Sequence, residues 1–476
     1  MTYQTQLIRI EQVILTCIVG IIFTSVVSSC SSVSDSSQEV NMDPYGGWRE
    51  ITLTKTGFFH AEHDGNRWWF ITPEGHAFLS FGINHYHEGW WTQEYNLDYW
   101  LESFGALRPG DVKWNEGFRK VANTDMKRLG INTLGWHTDA PMLTDKPKGA
   151  FVPYLRSYKP IILDHYRHPK EEAFMDVFAP EFEELCEETA QKVAGPYIND
   201  TMLLGYCMSD CPIFTDQDIS AMEGSTSWSR ILRNLGADAP GKKAYIQLIR
   251  ERYPDISIFN NVYSTGFTLW DDLLKAEDWR PNQIPENPEE QADNLAFTLA
   301  CVDRYYFVAE AAIRKVDPNH LFLGDKLNGN TDNLEQIVEV AARYVDVIVY
   351  QFYGSLSEQK SLLDRVVPKA DLPFVNGDIG FSVPYEMMPV PHGPHAKDQA
   401  ERAAWLMESC IGCFARPEFI GWHMCGIIDT WKTMPGKEQA QHQGLMTIKG
   451  EFYPEMEEAV KEISSELYQI AAGIEN

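Results

Sequence analysis

The chain has 476 residues, with 40 Lys+Arg against 68 Asp+Glu and a net charge of −28. That excess excludes a nucleic-acid binder, which needs basic surface to neutralise phosphates, and adsorption by charge to an anionic membrane. A composition 44% hydrophobic and 23% charged is that of a folded protein, not a disordered one.

The N-terminus reads as an address. Val13 to Val27 is apolar apart from Thr16, Thr24 and Ser25. This is short for a membrane span and suits the apolar stretch of a signal peptide. It ends Val27-Ser28-Ser29-Cys30, a small-residue cleavage site before a cysteine, which fits a bacterial lipobox. The expected organisation is a lipoprotein signal peptide at 1–29, a tether at 30–50 beginning at lipidated Cys30, and one domain at 51–476. The expected location is the cell envelope, on the outer membrane or facing the periplasm, with membrane contact through the lipid only. Without Cys17 and Cys30, seven of the nine cysteines remain. An odd number without framework spacing argues against a disulfide scaffold. Cys410-Ile-Gly-Cys413 has CxxC spacing but no second pair, and reads as part of a helix.

Downstream, strand and helix alternate. A hairpin is expected around Asp64-Gly65. Eight short apolar runs follow: Ala77–Ile83, Ile131–Trp136, Pro160–Leu163, Leu203–Met208, Leu321–Gly324, Val345–Tyr350, Pro373–Asn376 and Phe419–Cys425. Helical patterns occupy Phe118–Leu129, Pro180–Val193, Asp293–Val316, Leu334–Tyr344, Asp398–Ile411 and Met456–Ile470. Eight such repeats predict an α/β fold, a (β/α)8 TIM barrel. A doubly wound sheet is disfavoured, because no Gly-rich phosphate loop follows the first strand. The stretch Thr215–Pro288 is too long for a simple connection and reads as an insertion after strand four, over one mouth of the barrel.

In a barrel of this kind chemistry collects at the strand ends. Those ends supply Asn84 and His85, Trp136 and His137, Ser209 and Asp210, Lys326, Tyr350, Gln351 and Tyr353, Asp378, and Trp422 and His423. Trp270 stands in the insertion. Polar side chains suit sugar hydroxyls, aromatic faces suit the apolar side of a sugar ring, and two carboxyl groups across a glycosidic bond can cleave it. Asp210 and Asp378 fall on strands four and seven, roughly opposite each other across the mouth. A single strand-end Asp is more often a helix N-cap, so the pair carries the catalytic reading. His85 and His87 share a strand face, but no third ligand at suitable spacing is evident, and neither metal nor cofactor is expected. Asp325-Lys326 reads as a salt-bridged pair. A Lys326 that faces the cleft would suit a sulfated galactan.

These residues resemble the clan A glycoside hydrolases, whose acid/base and nucleophile end strands four and seven. The likeness is greatest to the agarase-type family, glycoside hydrolase family 50, with family 42 beta-galactosidases more distant. It is carried by Asp64–His76, Leu204-Gly205-Tyr206, Tyr253–Leu273, Pro373–Phe381, Gln443–Met446 and Tyr453-Pro454. It implies hydrolysis of β-glycosidic bonds in a poly- or oligosaccharide, an agar-type galactan above all, with Asp210 as general acid and Asp378 as nucleophile or base. No large N-terminal carbohydrate-binding domain is expected ahead of the barrel.

Two departures stand out. The family's Asn-Glu is Ser209-Asp210 here, and its nucleophilic Glu is Asp378. Each carboxyl retreats by roughly 1.3–1.5 Å on an unchanged backbone, about one carbon–carbon bond, which can widen the pair into the inverting range. Glu88, Asp139, Asp164, Asp325 and Glu386 are the carboxylates able to take over a role. A sugar-binding lipoprotein without catalysis is the alternative from another class.

Overall fold

The computed structural model describes residues 41–138, 151–220, 227–431 and 441–473. The leader, Cys30, most of the tether and Asp139 lie outside the described residues. Eight parallel strands close into a barrel. In chain order they are Ser80–Ile83, Thr133–Leu134, Tyr154–Ser157, Leu203–Asp210, Leu321–Asn328, Ile348–Gln351, Phe374–Ile379 and Phe419–Met424. The last pairs with the first, Trp422 opposite Phe81. Buried on both faces, these strands read as apolar runs rather than as alternations.

The first run is two strands. His76–Phe78 pairs antiparallel with Trp68–Ile71, and after Leu79 the chain turns into the barrel. These two strands join Trp48–Thr52 and His60–His63 in a four-stranded sheet, so the strand Trp48–Thr52 begins inside the segment read as tether. This sheet meets the starts of barrel strands. Tyr45 donates to Thr201 at 3.0 Å, Phe58 packs on His320, and Trp68 N–H donates to Pro417. Buried Arg67 donates to the carbonyls of Phe414, Ala471 and Phe419. It therefore plugs the end of the barrel opposite the strand termini that carry Asp210 and Asp378.

The third strand is Tyr154–Ser157, not the run Pro160–Leu163. Pro160 has no N–H to give a ladder, and Ile162 is exposed. A helix at Leu356–Val366, started by a Ser355/Glu358 capping box, completes the alternation between strands six and seven.

The insertion folds as short helices: Asp216–Ser220, Trp228–Leu232, Pro240–Arg252, Ile256–Tyr263 and Trp270–Lys275. They pack on the 29-residue helix Pro288–Val316. That helix is about 43 Å long at 1.5 Å per residue, whereas an eight-residue strand spans about 26 Å. The surplus turns reach past the strand ends on the mouth side and carry the insertion. Two buried polar contacts fix it there: Arg233 donates to Glu290 at 2.8 Å, and Tyr253 and Tyr263 both donate to Asp293. The insertion stands beside the mouth, tied to the loop after strand five by a bond from Thr331 to Asp218. The seven described cysteines are buried and free, as their spacing predicts.

Candidate active site

Asp210 is the last residue of strand four and Asp378 lies near the end of strand seven; both are buried. The two carboxylates share one partner. Lys326, on strand five and fully buried, places its Nζ 3.0 Å from Asp210 Oδ1 and 2.7 Å from Asp378 Oδ2. It also stands 5.8 Å from the centroid of the Trp136 ring. The expected Asp325–Lys326 pair does not form. Neighbours on a strand point to opposite faces, so Asp325 turns away and accepts from Ser209 N–H at 2.7 Å and Tyr305 at 3.4 Å. Held by two carboxylates and out of solvent, Lys326 is not a free cation for a sulfate.

Two histidines complete the inner ring. His137 Nε2 meets Asp210 Oδ2 at 2.7 Å. His85 Nε2 is 3.9 Å from Asp378 Oδ2, and its ring stacks on His137 and Trp90, each at 4.7 Å. Both histidines have left-handed backbones, φ 55° and 57°, as does Cys211 at 49°. Such conformations cost of order 1–3 kcal/mol for residues with a Cβ and persist where the surroundings over-determine them. Here they aim side chains at the carboxylates from the ends of strands one, two and four.

The electrostatics follow from burial against one ammonium. Burial by itself raises the Asp210 carboxyl, but the Lys326 charge and the His137 hydrogen bond outweigh it and hold the group far below the usual carboxylate range. Asp378 is lowered in the same way by Lys326 and His85. Burial disfavours the charged lysine, yet the two carboxylates raise its pKa on balance. Burial lowers His137 to about 4 despite Asp210, so the ring is neutral at pH 7. The resting site is an ionised triad, carboxylate–ammonium–carboxylate.

Other strand-end residues serve the frame. Asn84 donates to Gly377 O and accepts from Trp136 N–H, tying strands one, two and seven. Ser209 Oγ accepts from Leu163 N–H. Tyr350 donates to Gln359, and Trp422 is fully buried against Phe419. Trp270 packs on Phe259 inside the insertion. His423 lies within the barrel, Nε2 on Ser80 Oγ at 2.7 Å, and burial lowers it to about 3. Glycine is required around it: a Cβ on Gly82 would fall 2.5 Å from its ring, and one on Gly135 would fall 2.1 Å from Asn84 Oδ1. Gln351 pairs in register with Asp378 and has a buried Oε1 without a hydrogen-bond partner. Half-buried Tyr353 stands by Asp378 and Cys425. Gln351 and Tyr353 thus remain at the centre with His85, His137 and Lys326.

Of the alternative carboxylates, Glu88 accepts from Trp114 and Asp164 accepts from Lys159 and from Asp210 N–H. Glu386 is exposed. Asp325 is raised by burial to about 7. The sequence does not single out Cys425 or His442, whereas His392, in the Pro/Gly-rich loop after strand seven, reads as a rim contact. Cys425 Sγ lies 3.1 Å from His442 Nδ1, and the His392 ring is 4.6 Å from that of His442. His392 comes from a loop and His442 from the two-residue strand Gln441–His442, both too short to show a period, and Cys425 falls just past strand eight, at the end of the apolar run Phe419–Cys425.

No family model matches the chain. Beta-agarase B of Vibrio sp. (strain JT0107) is 24% identical over 92% of this chain and 51% of its own length. The chain therefore spans about half the length of the curated relative it matches. Among solved structures, PfGH50B has a TM-score of 0.73 at 22% identity, covering 91% of this chain and 69% of its own. An exo-beta-agarase has a TM-score of 0.74 at 19% identity, covering 91% and 68%. An agarase, AgWH50C, has 0.72 at 18% identity, covering 90% and 68%. The likeness to agarases of glycoside hydrolase family 50, read first from short segments, extends along the whole barrel.

Proposed function

We propose that the protein is a glycoside hydrolase that cleaves β-glycosidic bonds in an agar-type galactan, with Asp210 as general acid and Asp378 as nucleophile. The observation that carries this reading is the pairing of two buried carboxylates from strands four and seven across one barrel mouth. The similarity to Beta-agarase B along nearly the whole chain supports the substrate class. Placed on one ammonium at 3.0 and 2.7 Å, the two oxygens are at most about 5.7 Å apart, close to the ~5–5.5 Å of retaining pairs and short of the ~6.5–9.5 Å of inverting ones. In the resting site both shorter carboxylates meet on Lys326 within that limit. Retention of configuration is therefore expected.

A general acid needs a proton, and Lys326 keeps Asp210 ionised at rest. Entry of a sugar between the carboxylates moves the ammonium off Asp210 towards Asp378. Burial then dominates at Asp210 and raises its affinity for a proton. Asp378 keeps Lys326 and stays ionised, as a nucleophile must. His85, His137, Gln351 and Tyr353 face the sugar hydroxyls, and Trp90 stacks beside them.

The same lysine favours a second reading, sugar capture without cleavage, since an ammonium fills the space where the scissile bond would lie. Incubation with agarose oligosaccharides separates the two. Release of new reducing ends supports the hydrolase. Saturable binding without release supports the capture protein.

Attachment to the envelope through a lipid on Cys30 belongs to the same proposal. Metabolic labelling with a radiolabelled fatty acid is expected to mark the wild-type chain and to be lost in Cys30→Ser. A labelled Cys30→Ser chain would remove the anchor from the account.

A further inference from the structure

Beside the triad, away from Asp210, Cys425 joins two residues of the hydrolytic site, Asp378 and His85, in a group of side chains that can ligate a metal. A ring nitrogen of His85, a carboxylate oxygen of Asp378 and the thiol of Cys425 lie within 4.8 Å of one another. Asp378 is 3% exposed, and its Oδ1 is buried with no hydrogen-bond partner while Oδ2 holds Lys326. A buried, unpartnered carboxylate oxygen costs free energy unless something binds it. Cys425 Sγ is in turn held at 3.1 Å by His442 Nδ1.

We propose that His85, Asp378 and Cys425 form a three-ligand site for a divalent transition metal of the zinc class. Nitrogen, oxygen and sulfur donors in one cluster match the borderline-soft character of zinc. Bond lengths of about 2.0–2.3 Å to a tetrahedral ion require ligand atoms roughly 3.3–3.6 Å apart. The three groups reach that spacing by side-chain shifts of about 1 Å or less. Charge balance agrees. Two carboxylates, one ammonium and the thiolate formed on binding leave two negative charges, which a divalent cation neutralises. The thiol proton leaves to solvent as the metal–sulfur bond forms. His442 orients the sulfur in the way outer partners fix metal ligands. Three protein ligands leave a fourth position for water or a sugar hydroxyl, and His85, the most exposed of the three side chains, lies on that side.

Two similar groupings carry less. Asp43 beside Glu74 and His76 already accepts from Tyr45 N–H, Gly47 N–H and Thr72. Asp210 beside His165 and Cys211 has Oδ2 on His137 at 2.7 Å and Oδ1 in an ion pair with Lys326 at 3.0 Å.

The site shares Asp378 and His85 with the hydrolytic reading without resting on it, and a metal held there would occupy the nucleophile, so its test reads metal and not activity. The tag-free full chain, cleared of metal with chelator, is titrated with zinc in a calorimeter and with cobalt(II) by absorption. The expected result is one equivalent of zinc and a thiolate-to-cobalt charge-transfer band. Cys425→Ser is expected to lose the band, and both Cys425→Ser and His85→Gln to bind zinc at least tenfold more weakly, a loss typical of metal-site ligands and their partners. Circular dichroism confirms that each variant is folded; if Cys425→Ser is not, the wild-type band and His85→Gln decide. No saturable binding, a wild-type cobalt complex without the band, or unchanged affinity in a folded variant would overturn the proposal.

Discussion

Lys326 decides the character of the centre. It is enclosed by the two carboxylates it neutralises, and neither side of that arrangement is stable alone. Replacing it with methionine leaves two buried carboxylates without their cation, a change of the kind that costs about 3–5 kcal/mol. The loss depends on pH in a defined direction. In the wild type both aspartates have depressed pKa values, so their stabilising effect is present above the unfolded value and fades as pH falls. In Lys326→Met burial raises them, and protonation relieves the penalty. Urea unfolding is therefore expected to show a large loss at pH 7 and a much smaller one near pH 4. An equal loss at both would mean that the ammonium acts by packing alone. The placement of Asp210 and Asp378 was legible in the sequence, because strand-end carboxylates on strands four and seven stand out once the strands are counted. The role of Lys326 was not. Its neighbour in sequence, Asp325, looked like its partner, and only the alternation of faces along strand five sends the two apart.

Elements explain why Asp325 behaves differently. It is enclosed behind strand five by Ser209, Tyr305 and Tyr306, without a cation, and burial raises it to about 7. A carboxyl raised on folding binds a proton that the unfolded chain releases near pH 4. Its contribution is therefore full below that point and falls as pH rises through about 7. Asp125 and Asp429, each raised by burial to about 6, act in the same sense. Asp325→Asn keeps an acceptor for Ser209 and cannot ionise. Its melting temperature is expected to decline less than that of the wild type between pH 5 and pH 8; parallel curves would contradict the assignment. Element order was readable because apolar runs and helical periods alternate through the whole chain. The third strand was misplaced because Ile161-Ile162-Leu163 is more apolar than Tyr154-Leu155-Arg156-Ser157, although Pro160 cannot join a ladder. The split at Leu79 was hidden since both sides of it are strand.

At the scale of the whole molecule the barrel separates stability from chemistry. The N-terminal sheet and Arg67 close one end, and the carboxylates occupy the other. The charge of −28 is spread over the rest. Self-repulsion of that size weakens the compact state and is screened by salt, so the melting temperature is expected to rise as sodium chloride is raised from 10 to about 150 mM. A fall would show that surface ion pairs such as Arg128–Glu457 outweigh the repulsion. The same charge, with Lys326 enclosed, favours a neutral galactan over a sulfated one. The central claim is that Asp210 and Asp378 act together on a β-galactosidic bond. Its most direct test is the hydrolysis rate of agarose oligosaccharides by wild type, Asp210→Asn and Asp378→Asn, each checked for folding. The account predicts reducing-end release by the wild type and a fall of at least about 10²-fold in each variant, the scale of a lost acid or nucleophile. Hydrolysis at the wild-type rate in either variant would contradict it.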